Sequence, residues 1–413
     1  MKPSTISSSE DRPLGRALWL VVLLALAVRL AYVLLAAPRL GLGPDAPLYD
    51  KIAWRLITEG RYAAEDHLGG MSHATRPVLF PVFLGGFFAV FGRGFVAPRV
   101  AQALLGAITC GIAASLGARI FGRRAGILAG IGAALFPQLI YYCGTITTET
   151  LHVFMLTSAV YVLHGAWKDA KGPAWWLAGG ALAGLAILAR SAMLGLLPAL
   201  GIWLLIAARP RRAALARFGF VLAGAAVVMG PWAARNYAVL GRFVPATTEG
   251  GYTFWLTNNA RATGGGECFL PDDLAPFRGL DEVDADRLFY RMGIEFVREN
   301  PGRAAALAAS KFVRLWRPWP HADEVGGLVA IVGGISFTPV LALAIWGAAA
   351  AWDRRRELLL FYVLIGYTTV LCCMFMAVTR YRAPLMPVLL VLAGHAAARL
   401  TGAFGKHSAC RAA

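Results

Sequence analysis

Residues 18–50 read LWLVVLLALAVRLAYVLLAAPRLGLGPDAPLYD, and they decide the fold of this chain. The first part is an apolar run interrupted by Arg29, long enough to cross a bilayer as a helix. Asp45, Tyr49 and Asp50 follow almost directly. A carboxylate at the mouth of a membrane segment is either a solvated loop residue or part of a site. The choice depends on which other charges gather at the same membrane level.

The composition indicates a membrane protein. Of 413 residues, 58% are hydrophobic and 15% are charged, with a mean hydropathy of +0.60. A soluble protein of this length cannot bury so much apolar surface, whereas a multi-span protein exposes it to lipid. The net charge of +17 fits cytoplasmic loops beside anionic lipid, so we exclude nucleic acid as a partner. The cysteines form no CxxC pair, and we expect them to be small core residues.

Apolar runs of about 17–25 residues predict an all-α integral membrane protein with about ten transmembrane helices. The predicted helices lie at residues 17–37, 97–118, 125–141, 149–166, 174–190, 192–208, 214–232, 325–350, 357–377 and 383–401. The polar lead at 1–16 precedes a run long enough to remain as an anchor, so we expect no cleaved signal peptide. Residues 402–413 form a predicted cytoplasmic tail.

The run PVLFPVFLGGFFAVFG at residues 77–92 is not counted as a span. It is short and rich in proline and glycine, so we expect it to lie in the interface or to re-enter the membrane against protein. The short cytoplasmic loops then carry the basic excess that the positive-inside rule requires. These basic residues are Arg119, Arg123, Arg124, Lys168, Lys171, Arg209, Arg211, Arg212, Arg217, Arg354, Arg355 and Arg356.

The resulting topology predicts a multi-pass protein of the inner (plasma) membrane. Both termini are expected on the cytoplasmic side. Two long segments, 38–96 and 233–324, then lie on the outer face. They divide the spans into helices 1–7 within 17–232 and helices 8–10 within 325–401. Between residues 281 and 316, apolar side chains recur at helical spacing among charged ones, as is typical of interfacial helices. No internal repeat suggests the inverted halves of a transporter.

Arginines at the outer ends of the spans run against the topological bias, so each of them needs a reason. Separate parts of the chain bring five of them to this level: Arg76, Arg190, Arg235, Arg380 and Arg382. A planar guanidinium donates two parallel charge-assisted hydrogen bonds to a phosphate, and we predict that these side chains bind one. The alternative is that each arginine reaches lipid headgroups or pairs with a nearby acid.

Carboxylates are expected at the same level. Asp45 lies just beyond the first span, and Glu149 begins the fourth span in CGTITTETLHVF. A carboxylate partly inside an apolar run is costly unless it is paired or functional. The alternative for Glu149 is an acid at a helix N-terminus, favoured by the helix dipole and capped by Thr147 or Thr148.

An outer-face cavity with carboxylates, arginines and a lipid-side entrance suits one reaction class. A lipid-linked phospho-sugar enters from the bilayer, and the arginines hold its phosphate. A carboxylate takes the proton from an acceptor hydroxyl as that oxygen attacks the anomeric carbon; such general-base help contributes about 10²–10⁴ in rate. Preorganised cations that stabilise the departing phosphate contribute at least as much.

At these residues the chain resembles the membrane-embedded GT-C glycosyltransferases. More narrowly, it is similar to the bacterial group allied to protein O-mannosyltransferases and the lipid A aminoarabinose transferase, that is, to glycosyltransferase families 39 and 83. The resemblance is carried, in the family's order, by PDAPLYDKIAWRLITEGRY (44–62), RPVLFPVFLGGFFAVFGRGFVAPRVAQALLGA (76–107), LGARIFGRRAGILAGIGAALFP (116–137), TTETL (147–151), PWAARNY (231–237) and RYRAPLMPVL (380–389).

The resemblance implies a use for several residues. The acid of the family's first outer loop, the base, maps to Asp45, and the second acid maps to Glu149, where many relatives carry Asp. The basic residue of the interfacial segment maps to Arg76, although relatives often read Pro-Pro where this chain has RPVLFP. The implied donor is a polyprenyl-phosphate sugar, transferred with inversion to a protein, lipid A or envelope glycan hydroxyl. We assign substrate binding to Tyr49, Tyr381 and Asn258.

A metal ion is a separate question. Some GT-C enzymes bind a divalent cation, while this branch is described as independent of one. Glu65, Asp66, His67 and His73 supply potential ligands in a polar loop. We expect these side chains to form solvated surface and the protein to need no metal or other cofactor.

The main alternative is a transporter or flippase of a lipid-linked anion, which would also need arginines near an interface. It would place polar residues at mid-membrane and show internal symmetry, whereas here Arg29 is a charged exception among glycine and alanine. A structural assembly protein would explain neither Asp45 nor the arginines. The sequence names neither the sugar, the carrier nor the acceptor.

Overall fold

The computed structural model describes the chain over residues 14–65, 70–265, 271–320 and 326–411, with only the backbone for 271–272 and 402–411. Within these ranges the chain is helical except for its connecting loops and one small hairpin. The hairpin pairs β1 (Ala64–Glu65) antiparallel with β2 (Met71–Ser72). The expected all-α fold class is confirmed.

The chain forms sixteen α-helices within the described residues. The first eight are α1 (Arg16–Ala31), α2 (Ala46–Glu59), α3 (Leu79–Phe91), α4 (Val96–Phe121), α5 (Arg123–Leu135), α6 (Pro137–Gly144), α7 (Glu149–Lys168) and α8 (Pro173–Ala189). The others are α9 (Leu196–Ala207), α10 (Arg211–Leu240), α11 (Gly250–Leu256), α12 (Glu282–Glu299), α13 (Pro301–Trp316), α14 (Gly327–Ala350), α15 (Leu359–Met374) and α16 (Met386–Arg411).

Five helical segments are long and apolar enough to cross a membrane, by length and composition. They are Arg16–Arg39, Val96–Phe121, Arg211–Leu240, Gly327–Ala350 and Thr379–Thr401. The pair α5 and α6 makes a sixth if it is counted as one bent span. Helices α8, α9 and α15 are shorter than the roughly 20 residues that cross a 30 Å core unaided. The count of ten spans therefore stays a prediction.

The predicted span at 125–141 is broken. Pro137 begins α6 at an angle of 47° to α5, and without an N–H it cannot bond the carbonyl of Ala133. The buried guanidinium of Arg29 donates to that carbonyl at 3.0 Å and to the carbonyl of Ala134 at 3.1 Å. Arg29 thus satisfies the backbone oxygens that the helix break exposes, which explains a charge in an apolar span.

Glycines allow the central helices to pack closely. A Cβ at Gly180 of α8 would clash with the carbonyl of Val221 in α10, and a Cβ at Gly224 of α10 would clash with the carbonyl of Leu177 in α8. Small residues that let two backbones touch are the usual basis of helix association in lipid, where no hydrophobic effect drives the contact. The pairing of α8 with α10 is therefore fixed by these two glycines.

The two predicted outer segments form small cores of their own. Tyr49 and Ala53 of α2 pack with Phe80 and Leu84 of α3. At a rise of about 1.5 Å per residue, the 13 residues of α3 span only about 20 Å, too short to cross the membrane. In the second outer segment, α11 packs against α12 through an aromatic cluster.

We expect Arg29→Met to lower the stability of the protein by about 2–4 kcal/mol, because the carbonyls at the helix break lose buried charge-assisted hydrogen bonds. The measurement is the Tm of the detergent-solubilised protein. Arg39→Met is the matched control, since the exposed Arg39 donates only to the carbonyl of Leu35 on its own helical segment. Equal Tm values for the two variants would show that Arg29 does not hold the break.

Candidate active site

The position of Asp45 depends on a tight turn before α2. Gly43 in this turn has a φ of +96°, and a Cβ there would meet Thr147 at 3.2 Å. The carbonyl of Leu42 accepts a hydrogen bond of 2.8 Å from the N–H of Ile146. Asp45 follows as the N-cap residue of α2. The start of the first outer segment therefore lies against the turn that leads into α7.

Two buried polar residues of α4 hold both turns from beneath. The Nε of Arg99 donates to the carbonyl of Gly144 at 2.7 Å, and its Nη2 donates to the carbonyl of Gly41 at 3.2 Å. The amide of Gln102 donates to the carbonyl of Thr145 at 2.8 Å. Arg99 and Gln102 are not among the residues predicted from the sequence. Their signal is two polar residues one turn apart on an otherwise apolar helix.

An ion pair joins the first outer segment to the last span. The Nη1 of Arg380 lies 2.7 Å from Oδ2 of Asp45, although the two residues are 335 positions apart. Arg380 belongs to the short 3₁₀ turn Thr379–Leu385 that precedes α16. Both side chains keep about a quarter to a third of their surface exposed. The pair therefore lies at the edge of the helical bundle and remains accessible to a ligand.

A second ion pair lies beside the first. The Nη1 of Arg190, at the end of α8, donates to Oε1 of the buried Glu149 at 3.1 Å. The ring of Tyr381 connects the pairs, with its centroid 4.2 Å from Cζ of Arg190 and 5.6 Å from Cζ of Arg380. Cation–π contacts on one ring hold the two guanidinium groups close together despite their like charge.

The electrostatic surroundings keep Asp45 ionised. Burial raises the pKa of the Asp45 carboxyl, but the charges of Arg380, Arg76 and Arg190 outweigh burial and hold that pKa below its ordinary value. The three arginines come from separate segments of the chain, as the sequence analysis expected. Asp45 is thus an anion at neutral pH, surrounded by guanidinium groups.

Arg76 links the site to the second outer segment. It forms an ion pair with Glu249, which precedes α11, and Tyr62 donates to the carbonyl of Arg76 at 2.9 Å. Burial opposes the charge of Arg76, but Glu249, Tyr49 and Asp45 together outweigh burial, and the pKa of Arg76 lies above its ordinary value. Sequence reasoning missed Glu249, because a single acid in a Gly- and Thr-rich segment has no periodic signal.

Arg235 and Arg382 make other contacts. Arg235 donates to the backbone carbonyls of His73 at 2.6 Å and Tyr62 at 2.9 Å. Arg382 is buried, donates to the carbonyl of Arg317 at 2.7 Å, and lies 4.0 Å from the centroid of a phenylalanine ring. The same membrane depth therefore does not place all five predicted arginines around Asp45.

The predicted substrate residues also differ in position. Tyr49 is buried in α2, with its ring 5.1 Å from that of Phe80. The amide nitrogen of Asn258 donates to the carbonyl of Met374 at 2.9 Å, and its oxygen accepts from Nζ of Lys311 at 3.0 Å. Asn258 thus fastens the second outer segment to the end of α15, while Tyr49 lies beneath the first ion pair.

A cavity of about 50 Å³ opens between the two outer segments and reaches Arg76. Its lining is acidic, with the carboxylates of Glu65, Glu249, Glu282 and Asp286. Burial raises the pKa of Asp286 to about 6, and Glu249 and Glu282 add to the effect. A cavity with this lining repels phosphate and favours neutral or cationic groups.

Asp286→Asn should stabilise the protein by about 1–3 kcal/mol at pH 7.5, because the charged carboxylate is disfavoured in the folded state. The folded pKa exceeds the ordinary value of 3.8, so the penalty is complete above about pH 6 and absent below pH 3.8. The amide keeps an oxygen to accept from the N–H of Gly251, as Asp286 does at 2.6 Å. The gain in Tm should disappear as the pH falls towards 4.

Asp284→Asn is the control on the same helix, since Asp284 is exposed and paired with Arg242. A gain for Asp286→Asn that is independent of pH, or an equal gain for both variants, would contradict this account.

Among the described residues, no group of three or more His, Cys, Asp or Glu side chains is placed to hold a metal ion. Of the potential ligands in the first outer segment, Asp66 and His67 lie outside the described residues.

Comparisons with known proteins agree with this architecture. The profile of the dolichyl-phosphate-mannose-protein mannosyltransferase family matches residues 75–233. The solved structure of the Archaeoglobus fulgidus oligosaccharyltransferase AglB, in complex with an inhibitory peptide and a dolichol-phosphate, superposes with a TM-score of 0.60 over 97% of this chain. The sequence identity is 14%, and the match covers 51% of AglB. This protein has the GT-C glycosyltransferase fold.

Two further solved structures show similarity to this chain. The same archaeal enzyme, tethered to an acceptor peptide containing the NVT sequon, matches with a TM-score of 0.60 and 15% identity, over 95% of this chain and 50% of that chain. ArnT from Cupriavidus metallidurans, bound to undecaprenyl phosphate, has a TM-score of 0.44 and 16% identity, over 92% of this chain and 77% of ArnT. No curated protein sequence matches the chain.

The chain spans about half the length of the archaeal structures that it matches. The likeness confirms the GT-C fold predicted from the quoted stretches. Together with its apolar helices, it makes the chain a multi-pass membrane protein. A shared fold does not by itself give a shared reaction, so the reaction must be argued from the site.

Proposed function

We propose that this protein is a membrane glycosyltransferase. It transfers a sugar from a polyprenyl-phosphate donor to an acceptor hydroxyl, on the outer face of the plasma membrane and with inversion. The observation that carries the proposal is the ion pair between Asp45 and Arg380, with the pair of Glu149 and Arg190 beside it. This arrangement brings together an ionised base and the cations that a departing phosphate needs.

In this proposal the donor phosphate binds at Arg380 and Arg190, with Arg76 at the edge of the same field. Guanidinium groups suit this role, because each can share its donors between a carboxylate and a phosphate oxygen. The AglB structure was solved with a dolichol-phosphate, which supports a polyprenyl-phosphate ligand for this fold. Arg235 and Arg382 donate hydrogen bonds to backbone carbonyls, and we assign them structural roles.

The proposed reaction is a single displacement. The acceptor oxygen attacks the anomeric carbon as its proton passes to the carboxylate of Asp45. The bond between the anomeric carbon and the phosphate oxygen breaks, and its electron pair leaves with polyprenyl phosphate. Arg380 pairs with Asp45 before the donor binds and is drawn towards the phosphate afterwards, which makes Asp45 a stronger base when it is needed.

Glu149 and two tyrosines support this arrangement. Glu149 fixes Arg190 through the buried ion pair, so we assign it an orienting role. Tyr381 keeps the two guanidinium groups side by side. Tyr49 forms the wall below Asp45, one helical turn along α2. The acceptor enters through the acidic cavity between the outer segments, because that cavity reaches Arg76 and repels the donor phosphate.

We expect Asp45→Asn to lower the rate of transfer by about 10²–10⁴ while donor binding is retained, because the amide keeps the shape and loses the base. The measurement is transfer of radiolabelled sugar in proteoliposomes, with donor affinity measured separately. Asp50→Asn is the matched control on the same helix, where Asp50 pairs with Arg93. Transfer by Asp45→Asn at the control rate would refute the role of Asp45 as base.

Arg380→Ala should weaken donor binding by about 1.5–3 kcal/mol, since a charge-assisted hydrogen bond to the phosphate is lost. The measurement is equilibrium binding of polyprenyl phosphate to the purified protein. Arg399→Ala serves as the control, because Arg399 donates to the carbonyl of Ala350 near the end of α14. Unchanged affinity in Arg380→Ala would place the phosphate elsewhere.

The proposed reaction uses arginines where other enzymes use a divalent cation, so we expect transfer to persist in excess EDTA. The rate is compared with and without added Mg²⁺ and Mn²⁺ after chelation. A rate that collapses with EDTA and returns with one of these ions would overturn the metal-independent mechanism.

The same proteoliposomes separate a transferase from a flippase. A transferase releases unlabelled polyprenyl phosphate and labels the acceptor, whereas a flippase only moves label between the leaflets. The acceptor is a protein, lipid A or envelope glycan hydroxyl. Mass spectrometry of the envelope of a deletion strain identifies which of these loses its sugar.

A further inference from the structure

A second, small cavity of about 10 Å³ lies beneath the proposed active site. It is lined by helices α1, α4, α6 and α7. Its polar lining consists of Arg29, Thr109, Tyr142, Glu149 and Thr150. The cavity therefore connects the residue that holds the helix break to the second acid of the proposed site.

Two polar atoms at this cavity are buried without a hydrogen-bond partner among the described residues. They are the Nε of Arg29 and the Oε2 of Glu149. Their residues are 0% and 3% exposed, and their other atoms are engaged: Arg29 by backbone carbonyls, Glu149 by Arg190. Leaving a buried polar atom without a hydrogen bond is costly, so an occupant that bonds these atoms is favoured.

The two atoms define the chemistry of the occupant. The Nε–H of Arg29 can only donate, and the ionised Oε2 of Glu149 can only accept. The occupant must therefore accept from Arg29 and donate to Glu149. Glu149 repels an anion and Arg29 repels a cation, which leaves a small neutral molecule with both functions. Water has these properties, and a cavity of about 10 Å³ has room for about one water molecule.

We propose that an internal water site joins Arg29 to Glu149, and that Arg29 acts through it as a positioning residue. The positioning role rests on the proposed function, whereas the water site does not. Water bonded to Oε2 fixes the second oxygen of the carboxylate whose first oxygen holds Arg190. The guanidinium that holds the break between α5 and α6 thus also determines where Glu149 and Arg190 stand.

Gly106→Ala tests this connection without removing a charged group. Its Cβ would lie 2.7 Å from Nε of Arg29 and 2.8 Å from Sγ of Cys143, so it displaces the side chain at the cavity. Gly111→Ala is the matched control on the same helix, because its Cβ would lie 2.7 Å from a methyl carbon of Val22. In both variants the shortest new contact is 2.7 Å, but only the first touches Arg29.

We expect Gly106→Ala to raise the donor KM at least about tenfold relative to Gly111→Ala, with acceptor KM unchanged, because Glu149 loses its position and Arg190, which holds the donor phosphate, shifts with it. Equal Tm values establish that the two variants are equally folded. Equal donor KM values in the two variants would overturn the positioning role while transfer by the wild type, and with it the proposed function, still stands.

The water itself is tested by a cryo-EM map of the wild-type protein at a resolution that shows ordered waters. We expect density within hydrogen-bond distance of both the Nε of Arg29 and the Oε2 of Glu149. An empty cavity, or a direct protein partner for either atom, overturns the water site. If the wild type shows no transfer, the proposed function and the positioning role are both wrong. The water site is then tested by the cryo-EM map alone.

Discussion

The ion pair between Asp45 and Arg380 is the interaction on which the proposed site depends. It ties the first outer segment to the turn before the last helix, at the largest sequence separation in the site. Opposite charges at this distance attract strongly where water is partly excluded, and Arg76 and Arg190 extend the positive field. The same charges that hold the turns together are those that a phosphate would use.

The packing below the site explains why these charges can meet. Arg99 and Gln102 bind the carbonyls of two turns that carry the acids, and Arg29 binds the carbonyls released by the break at Pro137. In each case a buried polar side chain of a membrane helix replaces the backbone partner that lipid cannot supply. Hydrogen bonds from buried side chains to backbone carbonyls therefore hold the turns of the site in place.

Much of this was predictable from sequence, and the limits have a physical cause. Basic residues against the topological bias point to Arg190 and Arg380, and carboxylates at the ends of apolar runs point to Asp45 and Glu149, since membrane depth can be read from hydropathy. Depth does not give direction around a helix bundle, so the same reasoning groups Arg382, which donates to the carbonyl of Arg317, with the arginines around Asp45. The role of Arg29 could not be predicted without knowing that the helix breaks at Pro137. The ion pair of Arg76 with Glu249 could not be predicted without the fold of the second outer segment.

The most direct test of the central claim is a structure of the protein with bound polyprenyl phosphate. The account predicts that the phosphate lies within hydrogen-bond distance of Arg380 and Arg190, and that the carboxylate of Asp45 faces the side from which an acceptor would attack. A phosphate bound away from both arginines, with the pair of Asp45 and Arg380 undisturbed, would contradict it.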